Sequence, residues 1–260
     1  MAKTKLIEKL KLLSRNRKKE EEAFLNFVSN TYRCREFISH LIKDHRLEKH
    51  TDIVISLYLV SLVSIWETLF RDIFIFVLKR KPEFVEKINK KKLKKRTDVV
   101  SLPSELAEEY SGYLFSFQNI ESISEAYGLV VGNDNVLEQV VQQKALIAAR
   151  NKGVGIFRMD KLFPKWRKDI ESMLTERHRI MHDANHRCPL TRKQISRLET
   201  EMFLFLQLLG LFVSQKFQLP WIKFNRELVA FEVSSETNER LMPMLITIDD
   251  LLADDYEVLD

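Results

Sequence analysis

Apolar residues recur at helical spacing over most of this chain. Between Lys18 and Asp44 they fall at Phe24, Phe27, Val28, Tyr32, Cys34, Phe37, Ile38 and Leu41, the three-and-four rhythm of one amphipathic face. A stretch from Thr4 to about Leu13 has the same rhythm, so the two read as a long helix broken near Asn16. Thr51 and Asp52 carry N-cap chemistry for a second helix running to about Arg80. Lys81-Pro82 ends it, because the residue before proline is pushed out of the α region. This helix is apolar almost all round at its start, which predicts that it lies in the middle of the core.

Farther along, Pro103, Gly112, Gly128 and Gly132 punctuate short helical pieces such as Ser104 to Tyr110 and Asn119 to Tyr127. The aromatic residues Tyr110, Tyr113, Phe115, Phe117 and Tyr127 need burial, so the region reads as an irregular insert within one domain. Asn135 to Arg150 and Phe163 to about His186 are predicted helices separated by a loop at Gly153 and Gly155, and Pro189 stops the second. A last long helix, Thr191 to Phe217, carries the apolar line Ile195, Leu198, Met202, Leu206, Leu209, Phe212 and Val213. After Pro220-Trp221 the pattern turns to alternation at Leu228 to Val233 and Met244 to Ile248, which can pair as a small hairpin. An acidic tail runs from Asp249 to Asp260. The expectation is an all-α multi-helix bundle over 1–222, with an insert at about 87–134, followed by a C-terminal extension over 223–260.

Composition supports the helical reading. Six Gly and six Pro in 260 residues are too few for the turns of an all-β sandwich or barrel. A formal net charge of +5 permits a polyanionic partner without demanding one. Cys34 and Cys188 are too few for a disulfide framework and show no metal-ligand spacing, which fits a reducing cytoplasm. The longest uncharged stretches, from Ile53 and from Met202, have 14 residues each, short of the ~20 that cross a bilayer, so no membrane span is expected. Seven of the ten residues from Lys87 to Arg96 are cationic. That run is a solvated face first, with Lys91, Lys92 and Lys95 as RNA contacts second.

One segment carries chemistry. An arginine and a histidine separated by four to six residues should occur by chance about once in a chain with 18 arginines and six histidines. Four such pairs occur: Arg33 with His40, Arg35 with His40, Arg177 with His182, and Arg179 with His186. Context separates them. Arg177 is followed by the polar His178, and His182 by Asp183 and Asn185, at a helix end just before Pro189. Arg35 to His40 lies in mid-helix, where a snorkelling arginine is the ordinary explanation.

Arg177-His178-Arg179-Ile180-Met181-His182 resembles the signature of the HEPN superfamily (higher eukaryotes and prokaryotes nucleotide-binding): an arginine, a polar residue, three variable positions and a histidine. Ser64-Ile65-Trp66-Glu67-Thr68-Leu69-Phe70 looks like the acidic-residue helix of several HEPN groups, among them RiboL-PSP-HEPN. The similarity of layout covers most of Lys18 to Leu219, and the insert and hairpin-like end depart from it. The resemblance implies an HEPN-type bundle acting as a metal-independent endoribonuclease with no cofactor, a homodimer in which two motif copies share a cleft. It further implies a toxin or antiviral effector, with an antitoxin or other regulatory partner.

Residue chemistry agrees. Arg177 can hold the scissile phosphate, and His182 can serve as general base or acid for attack by the ribose 2′-OH. His178, Asp183 and Glu67 are supporting candidates, and Arg179 is a further RNA contact. Residues five apart sit about 140° around a helix and ~7.5 Å along it, so a site using Arg177 and His182 together needs a frayed end or a second subunit. Two competing readings remain. His178, His182 and His186 recur every four residues as a metal comb would, but no third ligand of the HExxH kind accompanies them. A catalytically inactive helical adaptor or RNA-binding module would use the same surface passively. Serine-hydrolase and nucleotide-loop motifs are missing from the sequence.

Overall fold

The structure, a computed structural model, describes residues 2–17, 20–43, 50–93, 103–143, 145–149, 153–183, 185–217, 223–225 and 230–232. Among them the chain is predominantly helical, with ten α-helices. α1 (Ala2–Asn16) and α2 (Glu20–Lys43) realise the broken N-terminal helix. α3 (Thr51–Arg80) is the longest element and ends at Lys81 as proline chemistry requires. α4 (Glu83–Leu93), a 3-10 turn at Ser104–Leu106, α5 (Ala107–Tyr113) and α6 (Ile120–Val131) make up the described part of the insert. α7 (Val136–Gln142), α8 (Met159–Leu162), α9 (Trp166–His182) and α10 (Arg192–Phe217) complete the bundle.

α3 is the axis of the core. Its residues from Ile73 to Leu78 are all buried, with α4, α5 and α6 packed on this half and α2, α9 and α10 along the rest. α3 is thus central, as its apolar surface predicts, although its first turns are partly open: Ile53 is 54% exposed and Leu57 57%. The reason is coverage. The insert helices α4, α5 and α6 pack on α3 in addition to α2, α9 and α10, and Asp72 to Leu78 are buried, whereas Ile53, Leu57 and Ser61 on the N-terminal half are exposed.

Phe74 is the centre of an aromatic cluster with Phe115, Phe117 and Tyr127, at centroid separations of 5.3, 5.7 and 5.8 Å. The Tyr127 hydroxyl donates to the Phe70 carbonyl at 2.7 Å, which satisfies the one polar atom of a fully buried ring. Gly112 lets α5 approach α3, since a Cβ there would lie 2.8 Å from Ile75 Cδ1. The aromatic residues of the insert are buried as the pattern requires, apart from Tyr113, which is exposed.

Local signals set the helix ends. Asn119 caps α6 by accepting from the Ser122 N–H, and Gly132 at φ 79° closes it in the left-handed conformation. Thr191 and Gln194 form a reciprocal capping box at the start of α10.

The predicted helix from Asn135 to Arg150 is half wrong. α7 stops at Gln142, and β1 (Ala145–Ala149) pairs antiparallel with β2 (Gly153–Phe157), so Gly153 and Gly155 are strand residues and not a loop. A short apolar run such as Ala145 to Ala149 fits a strand as well as a helix, and periodicity cannot separate them. β3 (Lys223–Asn225) and β4 (Ala230–Glu232) form another short antiparallel pair. Met244 to Ile248, the expected partner of Leu228 to Val233, lies outside the described residues, as does the acidic tail. By length and composition α3 could cross a membrane, because the 14-residue count stopped at Glu67 although few charges follow; half of its most apolar stretch is buried inside the bundle.

Candidate active site

α9 runs antiparallel to α3. Arg177 approaches Glu67 while Arg187, beyond the end of α9, approaches Asp52 near the start of α3, each pair at 3.7 Å. The first pair is the centre of the site. The Arg177 and Glu67 side chains are 14% and 10% exposed, and no hydrogen bond joins them. Arg177 Nε and Glu67 Oε1 are both buried without a hydrogen-bond partner among the described residues. The guanidinium is held in place by charge, and among the described residues its buried Nε–H is left without an acceptor.

Two side chains from elsewhere complete this cluster. Gln118 Nε2 donates to Glu67 Oε2 at 3.3 Å. Arg71, one turn farther along α3, acts on Glu67 electrostatically and lies over the Phe117 ring at 5.8 Å. Burial raises the Glu67 pKa, and Arg177, the Gln118 hydrogen bond and Arg71 pull it back in that order. Burial lowers the Arg71 pKa, opposed by Glu67 and Glu109 and reinforced by Arg17. A desolvated carboxylate flanked by two guanidiniums results.

Behind it is a second ion cluster. Arg17, between α1 and α2, reaches both oxygens of Glu109 through Nε and Nη2 at 2.7 Å and also bonds Asp72. The side chains of Arg17 and Glu109 are 5% and 2% exposed. This clamp ties α1 and α5 to α3 one residue beyond Arg71.

The histidines occupy the other side of α9. His178 and His182 are exposed, with ring centroids 4.3 Å apart, as four-residue spacing on a helix requires. Within one chain Arg177 faces α3 while His182 faces solvent, so the two are not brought into one cleft. His186 turns elsewhere: its Nε2 lies 2.7 Å from Glu176 Oε2, and Arg179 Nη1 donates to the other oxygen of Glu176 at 2.8 Å. The three histidines therefore do not converge as a comb. Asp183 shapes the chain, accepting the Asn185 N–H on Oδ1 at 2.9 Å and the His186 N–H on its carbonyl at 3.0 Å. That turn stops α9 at His182 and leaves the imidazole on the final turn.

Around these residues the surface is partly apolar. Met181 is 53% exposed on the last turn of α9, at the same end of the bundle as Ile53 and Leu57. The basic run lies elsewhere. α4 begins beyond the far end of α3, and the 13 residues from Glu67 to Arg80 span ~20 Å of helix. Lys92 bonds Glu125 at 2.5 Å and covers the Phe115 ring, Lys91 is exposed, and Lys95 lies outside the described residues.

Sequence reasoning placed Glu67, Arg177 and His182 but missed Arg71, Gln118 and the Arg17 clamp. Arg71 was within reach, since i and i+4 on α3 share a face with Glu67. Gln118 sits in an irregular turn and Arg17 in a helix break, and neither has a periodic signal. Comparisons with protein-family models, with curated proteins and with solved structures gave no match.

Proposed function

We propose that this chain is an HEPN-type, metal-independent endoribonuclease working as a homodimer. The observation that carries the reading is the unsaturated Arg177 guanidinium, fixed against buried Glu67 beside an exposed His178/His182 pair on the same helix end. Arg177 and His182 point to different sides of α9. A composite site is then made when a second copy brings its own motif across, and the exposed Met181, Ile53 and Leu57 offer apolar area for that contact.

In this mechanism Arg177 binds the scissile phosphate and stabilises the charge that develops on it. His182 of either copy takes the proton from the ribose 2′-OH, whose oxygen attacks phosphorus, and a histidine returns a proton to the departing 5′ oxygen. The products are a 2′,3′-cyclic phosphate and a 5′-hydroxyl. Glu67, with Gln118 and Arg71, orients Arg177. DNA, lacking the nucleophile, is not cut. Uncontrolled cutting of this kind would suit a toxin or antiviral effector held in check by a partner.

The test is cleavage of mixed RNA in EDTA by wild type, Arg177→Ala and His182→Ala. Each variant should be inactive alone, and mixing the two after dissociation should restore part of the activity, because a mixed dimer holds one intact composite site. Inactivity of wild type on every RNA tried would leave the rival, a catalytically inert helical adaptor. The favouring observation for that rival is that Arg177 and Glu67 also make sense as a structural ion pair between α9 and α3.

A further inference from the structure

A cavity of about 240 Å³ opens between α2 and α3 on the flank of α3 turned away from α9. Its walls are Asn26 and Asn30 on α2 against Ser64 and Thr68 on α3, over a floor that includes Phe27 and Leu69. Each of these pairs is spaced four residues apart, so the amides and hydroxyls form two facing columns. The Ser64 and Thr68 hydroxyls donate to the carbonyls one turn earlier, at 2.8 and 2.9 Å, leaving oxygen lone pairs toward the cavity. Among the described residues neither asparagine has a hydrogen-bond partner. Two amides, each carrying a donor pair and an acceptor, are thus free in a half-apolar slot.

The electrostatics narrow the occupant. Asp72 at one end of the cavity is neutralised by Arg17, and among the described residues no cation lines the walls, so the slot suits a neutral, flat, polar-edged ligand and not a phosphate. Cationic donors lie just over the ridge of α3: Arg71 follows Thr68 by three residues, about 5–6 Å between Cβ atoms on one helix surface, with Arg177 beyond Glu67. An apolar cavity of about 150 Å³ takes a single six-membered aromatic ring, so this one has room for a base of either size. We propose that the α2/α3 cavity is a nucleobase subsite, which holds one base of single-stranded RNA by its edge while the strand runs on across α3 toward Arg71 and Arg177. The assignment rests on the ribonuclease reading for the course of the strand and on the cavity's own lining for the base. It makes Asn26 and Asn30 the residues that set base preference.

The test measures binding of the full-length protein to four uncleavable 2′-O-methyl homo-oligonucleotides and to an abasic oligomer, in EDTA, beside RNA cleavage by the same preparations. Wild type should bind the four bases unequally. Asn26→Ala with Asn30→Ala should weaken the preferred base about tenfold, bringing it to the level of the others, with no change for the abasic strand. Ser64→Leu, which fills the slot, should do the same, with helix content by circular dichroism checking the fold of each variant. Equal loss on all oligomers, or no loss on any, overturns the subsite while cleavage by wild type keeps the enzyme reading. Base-selective binding without any cleavage has the opposite meaning. Failure to bind any RNA overturns both.

Discussion

Glu201 lies midway along α10 with no solvent exposure, and neither carboxylate oxygen has a hydrogen-bond partner among the described residues. Burial, reinforced by the Asp169 carboxylate on α9 and opposed by Arg197 on its own helix, pushes its pKa up from 4.5 to about 8. At neutral pH the folded chain therefore holds this proton and the unfolded chain does not. The folded state binds it more tightly, so the stability it brings is complete below pH 4.5, is lost as pH rises toward about 8, and stays flat above. At 1.36 kcal/mol per pH unit, the interval from 4.5 to about 8 sets a ceiling of about 5 kcal/mol. Water entry and local relaxation reduce it to about 3 kcal/mol. Glu201→Gln keeps the shape and abolishes the titration. Urea denaturation followed by tryptophan fluorescence should show the variant within about 1 kcal/mol of wild type at pH 5 and about 3 kcal/mol more stable at pH 9. A difference that is the same at both pH values would refute the reasoning, since it would mean that Glu201 is ionised in the fold throughout.

Three further outcomes follow from the ion clusters and the basic run. Arg17→Met strands Glu109, 2% exposed at its side chain, and should cost about 3–5 kcal/mol in urea unfolding; adding Glu109→Leu should recover much of that, and a single-variant cost under about 1 kcal/mol would mean the clamp is slack. Lys91→Ala should lower the slope of log affinity for single-stranded RNA against log salt by about 0.7 if this exposed lysine meets a phosphate. Lys92→Ala should leave the slope alone and instead loosen α4 from α6, because its ammonium is committed to Glu125.

The helices were legible where one face stays covered along their whole length. α10 was read to within a residue of its observed start, and α3 was stopped at the right place by Lys81-Pro82. The errors have local causes. Ala145 to Ala149 lacks the length that would choose between strand and helix, and the hairpin it forms with Gly153–Phe157 is a non-local choice. The central place of α3 was legible, but the exposure of Ile53 and Leu57 was not, because hydrophobicity records what a helix could bury, whereas burial depends on which neighbours arrive. In the site, spacing left four Arg/His pairs, and the polar neighbours of Arg177 and His182 at a helix end singled out that pair, with Glu67 read as an acid on an apolar helix. That Arg177 and His182 would not share a face followed from helix geometry; which of them faces α3 did not. The roles of Gln118 and Arg17 depend on where irregular backbone returns to α3, which no one-dimensional pattern encodes.

Glu67 stands where α3 passes from a half-exposed helix to a fully enclosed one, and that position accounts for the site's properties. Six residues below it in sequence, Ser61 is exposed; six above, Ile73 is fully buried. A carboxylate at this boundary is desolvated enough for its pKa to rise, so its attraction for Arg177 is stronger than a surface pair's and less screened by salt. The enclosed half of α3, pinned by Phe74 and by the Gly112 contact, supplies a rigid base. The open half presents Thr68, Ser64 and Leu57 beside it without moving parts between them. Function placed on such a boundary gains preorganisation from the core and access from the surface on one continuous element. The same arrangement explains why Arg177 can be held with no hydrogen bond to Glu67: the attraction between two desolvated charges fixes its place.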